Sequence, residues 1–208
     1  MPSVTTITLA RHGQTIWHKE NRYTGSSDIE LDDVGYRQAD ALGAWASSQG
    51  FTALYCTDLR RTKDTIAPIE QATGMIASVE PRLRELDFGI AEGVTMSEMR
   101  ERSHDVVLAF EKDPCDDHWP EGENPRDAAM RARAAIQDVA SKNPRGRVLV
   151  VAHNTLIRLL VCDIMRTPLK DYRRRLPIMN PTAATRLKVD ANGEIGIIFY
   201  NLDVTGVQ

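Results

Sequence analysis

Short β-branched runs alternate with longer segments of helical periodicity along this chain, and two of the runs end directly in a histidine. That alternation is the pattern of an α/β protein, in which helices cover both faces of a mostly parallel sheet. Val4 to Ala10 reads as a first strand leading into Arg11-His12-Gly13, and Arg147 to Ala152 reads as the strongest strand, leading into His153-Asn154. Asp32 or Asp33 caps a predicted helix running to about Gln49. Ala53 to Cys56 is a short buried strand, after which Thr57 or Asp58 caps a helix ending near Gly74. Pro68 inside that helix predicts a kink or an early stop. Ile76 to Val79 reads as a third strand, and residues 95–112 as helix. Residues 113–125, rich in Pro, Asp, Glu and Gly, read as a loop or lid. Asn124 and Pro125 open a helix to about Lys142, and another runs from about Thr155 to Arg166. Ala183 to Val189 and Ile195 to Asn201 flank Ala191-Asn192-Gly193 as a hairpin. The expected architecture is one domain over residues 1–208, three layers α/β/α, with a small lid at about 95–125.

In an open parallel sheet, ligands bind at the carboxyl ends of the strands. The topology therefore delivers His12, His153 and the arginines after Cys56 to one edge. Gly13 lets the backbone approach a ligand closely. Arg11 offers a planar fork matched to phosphate oxygens. His12 is an imidazole able to attack phosphorus. With Arg61 and His153 the edge becomes a box of donors suited to a phosphoryl group whose charge spreads over three oxygens during transfer. Each piece alone has a plainer reading, as a satisfied polar residue or a surface arginine; the conjunction carries the signal.

Composition narrows the partners. The formal net charge of -3 and a pI near 6.0 leave no basic footprint for nucleic acid. Cys56, Cys115 and Cys162 are odd in number and far apart, which suggests free thiols in a reducing compartment and no metal site. The first residues carry no basic and apolar leader, and no apolar run is long enough to cross a bilayer, so the expected location is the cytoplasm, without a membrane partner. No cofactor is expected, and a homodimer is the candidate assembly.

The segment Arg11-His12-Gly13-Gln14-Thr15-Ile16-Trp17, continued by Asn21-Arg22-Tyr23-Thr24-Gly25 and Asp28-Ile29-Glu30-Leu31, resembles the opening of the histidine phosphatase superfamily, the phosphoglycerate mutase-like family. Thr57-Asp58-Leu59-Arg60-Arg61-Thr62-Lys63-Asp64-Thr65 resembles its second block. Leu83-Arg84-Glu85-Leu86-Asp87-Phe88-Gly89 with Glu92-Gly93 resembles the third, and Val151-Ala152-His153 with the following helix start the fourth. The resemblance covers nearly the whole chain in order. It implies the phosphoglycerate mutase-like fold, with His12 as the nucleophile that becomes phosphorylated. It further implies Arg11, Arg61 and His153 as ligands of the phosphoryl group, and Glu85 as general acid and then base. Gln14, His18, Arg22, Thr24 and Gly25 become candidate substrate contacts, and Asn154 a candidate phosphate contact through its backbone N–H. The chain departs from the family pattern at His18, where asparagine is frequent, and at Asn154, where glycine is frequent.

Whether the phosphoryl group passes to water or to a second hydroxyl divides this family. The stretch around Thr24 looks mutase-like. The close spacing of Glu85-Leu86-Asp87-Phe88-Gly89 and Glu92-Gly93, and the short chain, look phosphatase-like. The expected function is thus hydrolysis of a small phosphorylated metabolite, a sugar phosphate or phosphoglycerate type. The alternatives are a phosphoglycerate mutase, a phosphate-binding module that has lost catalysis, and a metal hydrolase using His12, His18 and His153. The lid reads either as a solvated loop with one buried anchor or as an acidic cap in which Trp119 stacks on a sugar. Arg173-Arg174-Arg175 reads as a solvated basic helix end, a subunit contact, or an attractor of anionic substrates.

Overall fold

In the computed structural model, residues 4–207 are described, and they form a mixed six-stranded sheet in the order β3-β2-β4-β1-β5-β6. The strands are β1 (Thr5–Arg11), β2 (Ala53–Cys56), β3 (Ser78–Val79), β4 (Arg147–Ala152), β5 (Ala184–Val189) and β6 (Ile195–Leu202). The helices are α1 (Asp33–Ser47), α2 (Arg60–Thr73), α3 (Met96–Arg102), α4 (His104–Lys112), α5 (Pro125–Lys142), α6 (Asn154–Ile164) and the short α7 (Tyr172–Arg175). β3, β2, β4 and β1 are parallel; the hairpin β5–β6 joins β1 antiparallel. The expected α/β/α layering is present. The leader reading rests on residues 1–6, of which 1–3 lie outside the described residues.

The alternation of side chains along each strand assigns the layers. Ile7 and Leu9 of β1, with Val148 and Val150 of β4, pack into the core beneath α5 and α6. Ala10, Leu149 and Val151 point the other way, against Leu42 and Ala46 of α1 and Ile66 of α2. β4 is buried along both faces, which explains its uninterrupted apolar run.

Several boundaries differ from the sequence reading, each for a local reason. Asp32 caps α1 by accepting from the Gly35 N–H, as expected. Neither Thr57 nor Asp58 caps α2: its N-cap is Leu59, and Asp58 pairs with Arg84 while Thr57 turns to His153. α2 runs through Pro68 to Thr73 and ends at Gly74 in the left-handed region. Pro68 is held there by α1: a Cβ on Gly43 would sit 3.0 Å from it, so the two helices touch nearly backbone to backbone. The third strand shrinks to Ser78–Val79, because it is a half-exposed edge with pairing only to β2. The helix expected over 95–112 is two helices. Thr95 and Glu98 form a capping box that starts α3, and Ser103 leaves the helical region between it and α4. Asn124 and Pro125 open α5 as the sequence indicates. The three cysteines are free and buried.

The lid holds a packed anchor. Trp119 is 2% exposed and stacks on Phe110 at 4.1 Å, with Tyr23 edge-on to both rings. Its indole belongs to the core, so the reading in which it stacks on a sugar is corrected. Three of the lid carboxylates are engaged too: Asp113 caps the turn at Cys115 and Asp116, Asp116 pairs with Arg126, and Glu123 with Arg131.

Candidate active site

β1 and β4 are neighbours in parallel register, with Arg11 beside Ala152. The residues that follow them, His12 and His153, are consequently side by side, with ring centroids 5.3 Å apart. The two residues are 141 positions apart in sequence, and the parallel pairing of β1 with β4 brings them together.

The His12 ring is buried and its Nδ1 lies 2.7 Å from the Gly13 carbonyl. A carbonyl can only accept, so Nδ1 carries the proton and Nε2 keeps its lone pair. Burial first, then the charges of Arg61 and Arg11, hold the His12 pKa well below the ordinary histidine value. Gly13 is squeezed against α1: a Cβ would fall 2.7 Å from the Gly35 carbonyl. Its N–H donates to Thr65.

Arg11 reaches the Met179 carbonyl through Nη1 at 2.6 Å and His18 Nδ1 through Nη2 at 3.3 Å, and its buried Nε has no protein partner. His18 therefore accepts from a guanidinium, and burial with the Arg11 charge pushes its pKa down to about 4. Arg61 is fully buried. Its Nη1 and Nη2 donate to the Ser27 and Gly25 carbonyls at 2.8 Å each, and its Nε to His153 Nδ1 at 3.3 Å. His153 Nε2 then donates to Thr57 Oγ1 at 3.0 Å. Both ring nitrogens of His153 are engaged, and burial with Arg61 keeps it neutral.

Glu85 does not pair with Arg82 or Arg84, the alternative for an isolated carboxylate. Arg82 binds Glu80 and Asp138, and Arg84 binds Asp58. The Glu85 carboxyl instead receives the N–H groups of Thr155 and Leu156, both at 2.9 Å, at the start of α6, and that of Leu86. Burial raises its pKa, against those N–H groups and Arg61. Two residues outside the expected set hold this framework. Arg131 clamps the Arg82, Arg84 and Glu85 carbonyls. Glu92 accepts from Gly25 and Ser27, shaping the loop whose carbonyls hold Arg61.

One cavity of about 310 Å³ opens at this edge, lined among others by Arg11, His12, His18, Glu85 and Asn154. Arg22 and Thr24 also line it, but Arg22 is neutralised by Glu20 and Glu98. Arg61 and His153 stand behind the lining as a second layer. Gly25 likewise stands back; a Cβ there would meet the Leu86 carbonyl at 2.0 Å. Gln14 lies off this cavity: its amide donates to Asp32, and it lines a neighbouring hollow. Tyr23 and Arg158 line the cavity without having been expected there, and Arg173 lines it too, in keeping with one of the three readings of the 173–175 run. For Arg158 the signal existed, since it sits four residues after Asn154 and so on the same helix face. Among the described residues no group of three His, Cys, Asp or Glu is gathered to hold a metal ion. No helix among them is long and apolar enough to cross a membrane.

The family model for the histidine phosphatase superfamily (branch 1) matches residues 7–201. The chain belongs to that superfamily. A curated relative, probable phosphoglycerate mutase GpmB of Cronobacter sakazakii, is 33% identical over 168 residues, 81% of this chain and 78% of its own. Among solved structures, Bacillus stearothermophilus YhfR is similar with a TM-score of 0.89 and 28% identity, covering 96% of this chain and 98% of its own. A mycobacterial glucosyl-3-phosphoglycerate phosphatase solved with VO3 is similar with a TM-score of 0.84 and 26% identity, over 95% and 99% of the two chains. This member of the superfamily thus has relatives named for both transfer and hydrolysis.

Proposed function

We propose that this protein hydrolyses a small phosphomonoester through a phosphohistidine on His12. The observation that carries the reading is one cavity lined both by a neutral, buried imidazole with a free Nε2 and by a buried carboxyl whose pKa is raised. In the first step the His12 Nε2 lone pair attacks phosphorus and the P–O ester bond breaks. The protonated Glu85 carboxyl gives its proton to the leaving oxygen. In the second step Glu85, now a carboxylate, takes a proton from water as the water oxygen attacks phosphorus. The N–P bond breaks, returning its electron pair to Nε2 and releasing inorganic phosphate.

Arg11, with an unpartnered Nε, holds the phosphoryl oxygens in this reading, and the backbone N–H of Asn154 adds a donor at the start of α6. Arg61 and His153 act from behind, supplying positive charge and holding the ring at position 12. His18 fixes the Arg11 fork. Arg22 and Thr24 shape the mouth, and Gly25 shapes the loop that seats Arg61. The test is acid-quench trapping with a phosphorus-labelled substrate: wild type retains label and His12→Ala retains neither label nor turnover. Turnover by His12→Ala ends the mechanism. A second reading, mutase activity, is favoured by the GpmB relatives. It predicts phosphoryl transfer between phosphoglycerate isomers in the presence of the bisphosphate, assayed alongside release of free phosphate.

A further inference from the structure

The basic run at the end of α7 is divided by the fold. Arg174 and Arg175 pair with Asp171. Arg173 has no carboxylate partner among the described residues. Its guanidinium lies over the Phe110 ring at 5.2 Å, and its Nη1 donates to the Tyr23 hydroxyl at 2.9 Å, at the mouth of the cavity. Arg158, on the same cavity, is 8% exposed. Its Nε donates to the Leu176 carbonyl at 2.6 Å, its Nη2 approaches the Tyr172 carbonyl, and it sits over the Tyr172 ring. It too has no carboxylate partner, and its Nη1 has no protein acceptor among the described residues. The two guanidiniums are near enough to feel each other's charge. Among the described residues that line the cavity, Glu85 carries the one carboxyl, and it is held by backbone N–H groups.

A cation kept out of bulk water, as Arg158 is, needs a counter-charge, while Arg173 stands solvent-exposed at the mouth beside it. At the His12 end the phosphoryl group supplies one for Arg11. Among the described residues no carboxylate forms an ion pair with Arg158 or Arg173, and Glu85, the carboxylate whose charge Arg158 feels, is held by backbone N–H groups. We propose that these two arginines form a second anion subsite, so that the preferred substrate is a phosphomonoester bearing a second anionic group. Both ends line the same cavity of about 310 Å³, so one small metabolite can reach both. A carboxylate and a second phosphate share the needed chemistry, because either accepts a guanidinium fork. Arg173 discriminates between substrates in this arrangement; it is a specificity residue, and it touches no reacting atom.

The inference rests on the phosphomonoesterase reading, and its test separates the two. One arm measures kcat/KM of the wild type on 3-phosphoglycerate and glycerol 3-phosphate, which differ by a carboxylate in place of a hydroxymethyl. Fructose 1,6-bisphosphate and fructose 6-phosphate test a second phosphate in the same way. The other arm measures binding of each pair to His12→Ala by calorimetry. We expect preference for the anionic member of at least one pair by about tenfold or more, in both arms. Arg173→Gln and Arg158→Lys, which keeps a cation beside the Leu176 carbonyl, reduce that preference several-fold. Equal treatment of both members of both pairs overturns the subsite, as does a preference unmoved by Arg173→Gln. Discrimination in binding without any turnover leaves the subsite standing and overturns hydrolysis. Turnover without discrimination does the reverse.

Discussion

An imidazole attacks phosphorus only from an unprotonated nitrogen, and a carboxyl protonates a leaving oxygen only while it still holds its proton. His12 and Glu85 meet these opposite demands through one cause, burial, which lowers the first pKa and raises the second. The expected kcat/KM profile is therefore bell-shaped. Its acid limb lies well below pH 6.5, where His12 becomes charged, and its alkaline limb lies above pH 4.5, where Glu85 loses its proton. Glu85→Gln keeps the shape but cannot give a proton. It should lower kcat by about 10²–10⁴ on an alkyl phosphate, and far less on p-nitrophenyl phosphate, whose leaving group needs no proton. An equal loss on both substrates would mean that Glu85 serves only to hold α6. The sequence around Glu85 offers Arg82 and Arg84 as obvious ion-pair partners. Only the fold shows that Glu80 and Asp58 take them and leave this carboxyl to the helix.

At the scale of elements, the site is held by close backbone contacts and by a loop. Gly25 lies so near the Leu86 carbonyl that a Cβ cannot fit without displacing one segment or the other. That loop's carbonyls in turn seat Arg61. Gly25→Ala should cost about 1–3 kcal/mol in urea unfolding and weaken binding of inorganic phosphate. A variant with wild-type stability would contradict the contact. Trp119→Ala tests the lid: it should destabilise the protein by about 3–5 kcal/mol, while the ratio of kcat/KM between substrates stays put at temperatures where it is folded. A specificity change larger than the stability effect explains would return Trp119 to the substrate. Local signals read these elements well where the reason was local, as at Asp32, Gly74 and Asn124. They failed where a distant partner intervened, as when Gly43 accommodates Pro68 inside α2, or His153 draws Thr57 away from capping it.

Across the whole molecule, three imidazoles are kept neutral by the fold: His12, His18 and His153 all have lowered pKa values. The unfolded chain takes up these protons near pH 6.5, the native protein only at lower pH. The stability they contribute is complete above pH 6.5 and declines as pH falls, by about 1.4 kcal/mol per pH unit for each proton in the difference. Glu85 has the opposite sign, since the native state holds its proton above pH 4.5 and that contribution fades as pH rises. Three groups against one predict a melting temperature lower at pH 5 than at pH 7, with His18→Asn flattening the slope. A melting temperature that rises toward pH 5 would refute the balance. The chain alone determined the layers, because strand and helix periodicities follow from neighbours two to four residues apart, and it determined the pair of histidines, because each ends a strand it belongs to. Tertiary packing decided what no local pattern encodes: that β4 lies against β1 in register and brings the rings together, that Gln14 turns to Asp32, that Arg61 faces carbonyls, and that one arginine of three points into the cavity. Those outcomes depend on which partner captures a side chain first in space, and a side chain's nearest competitors there are distant in sequence.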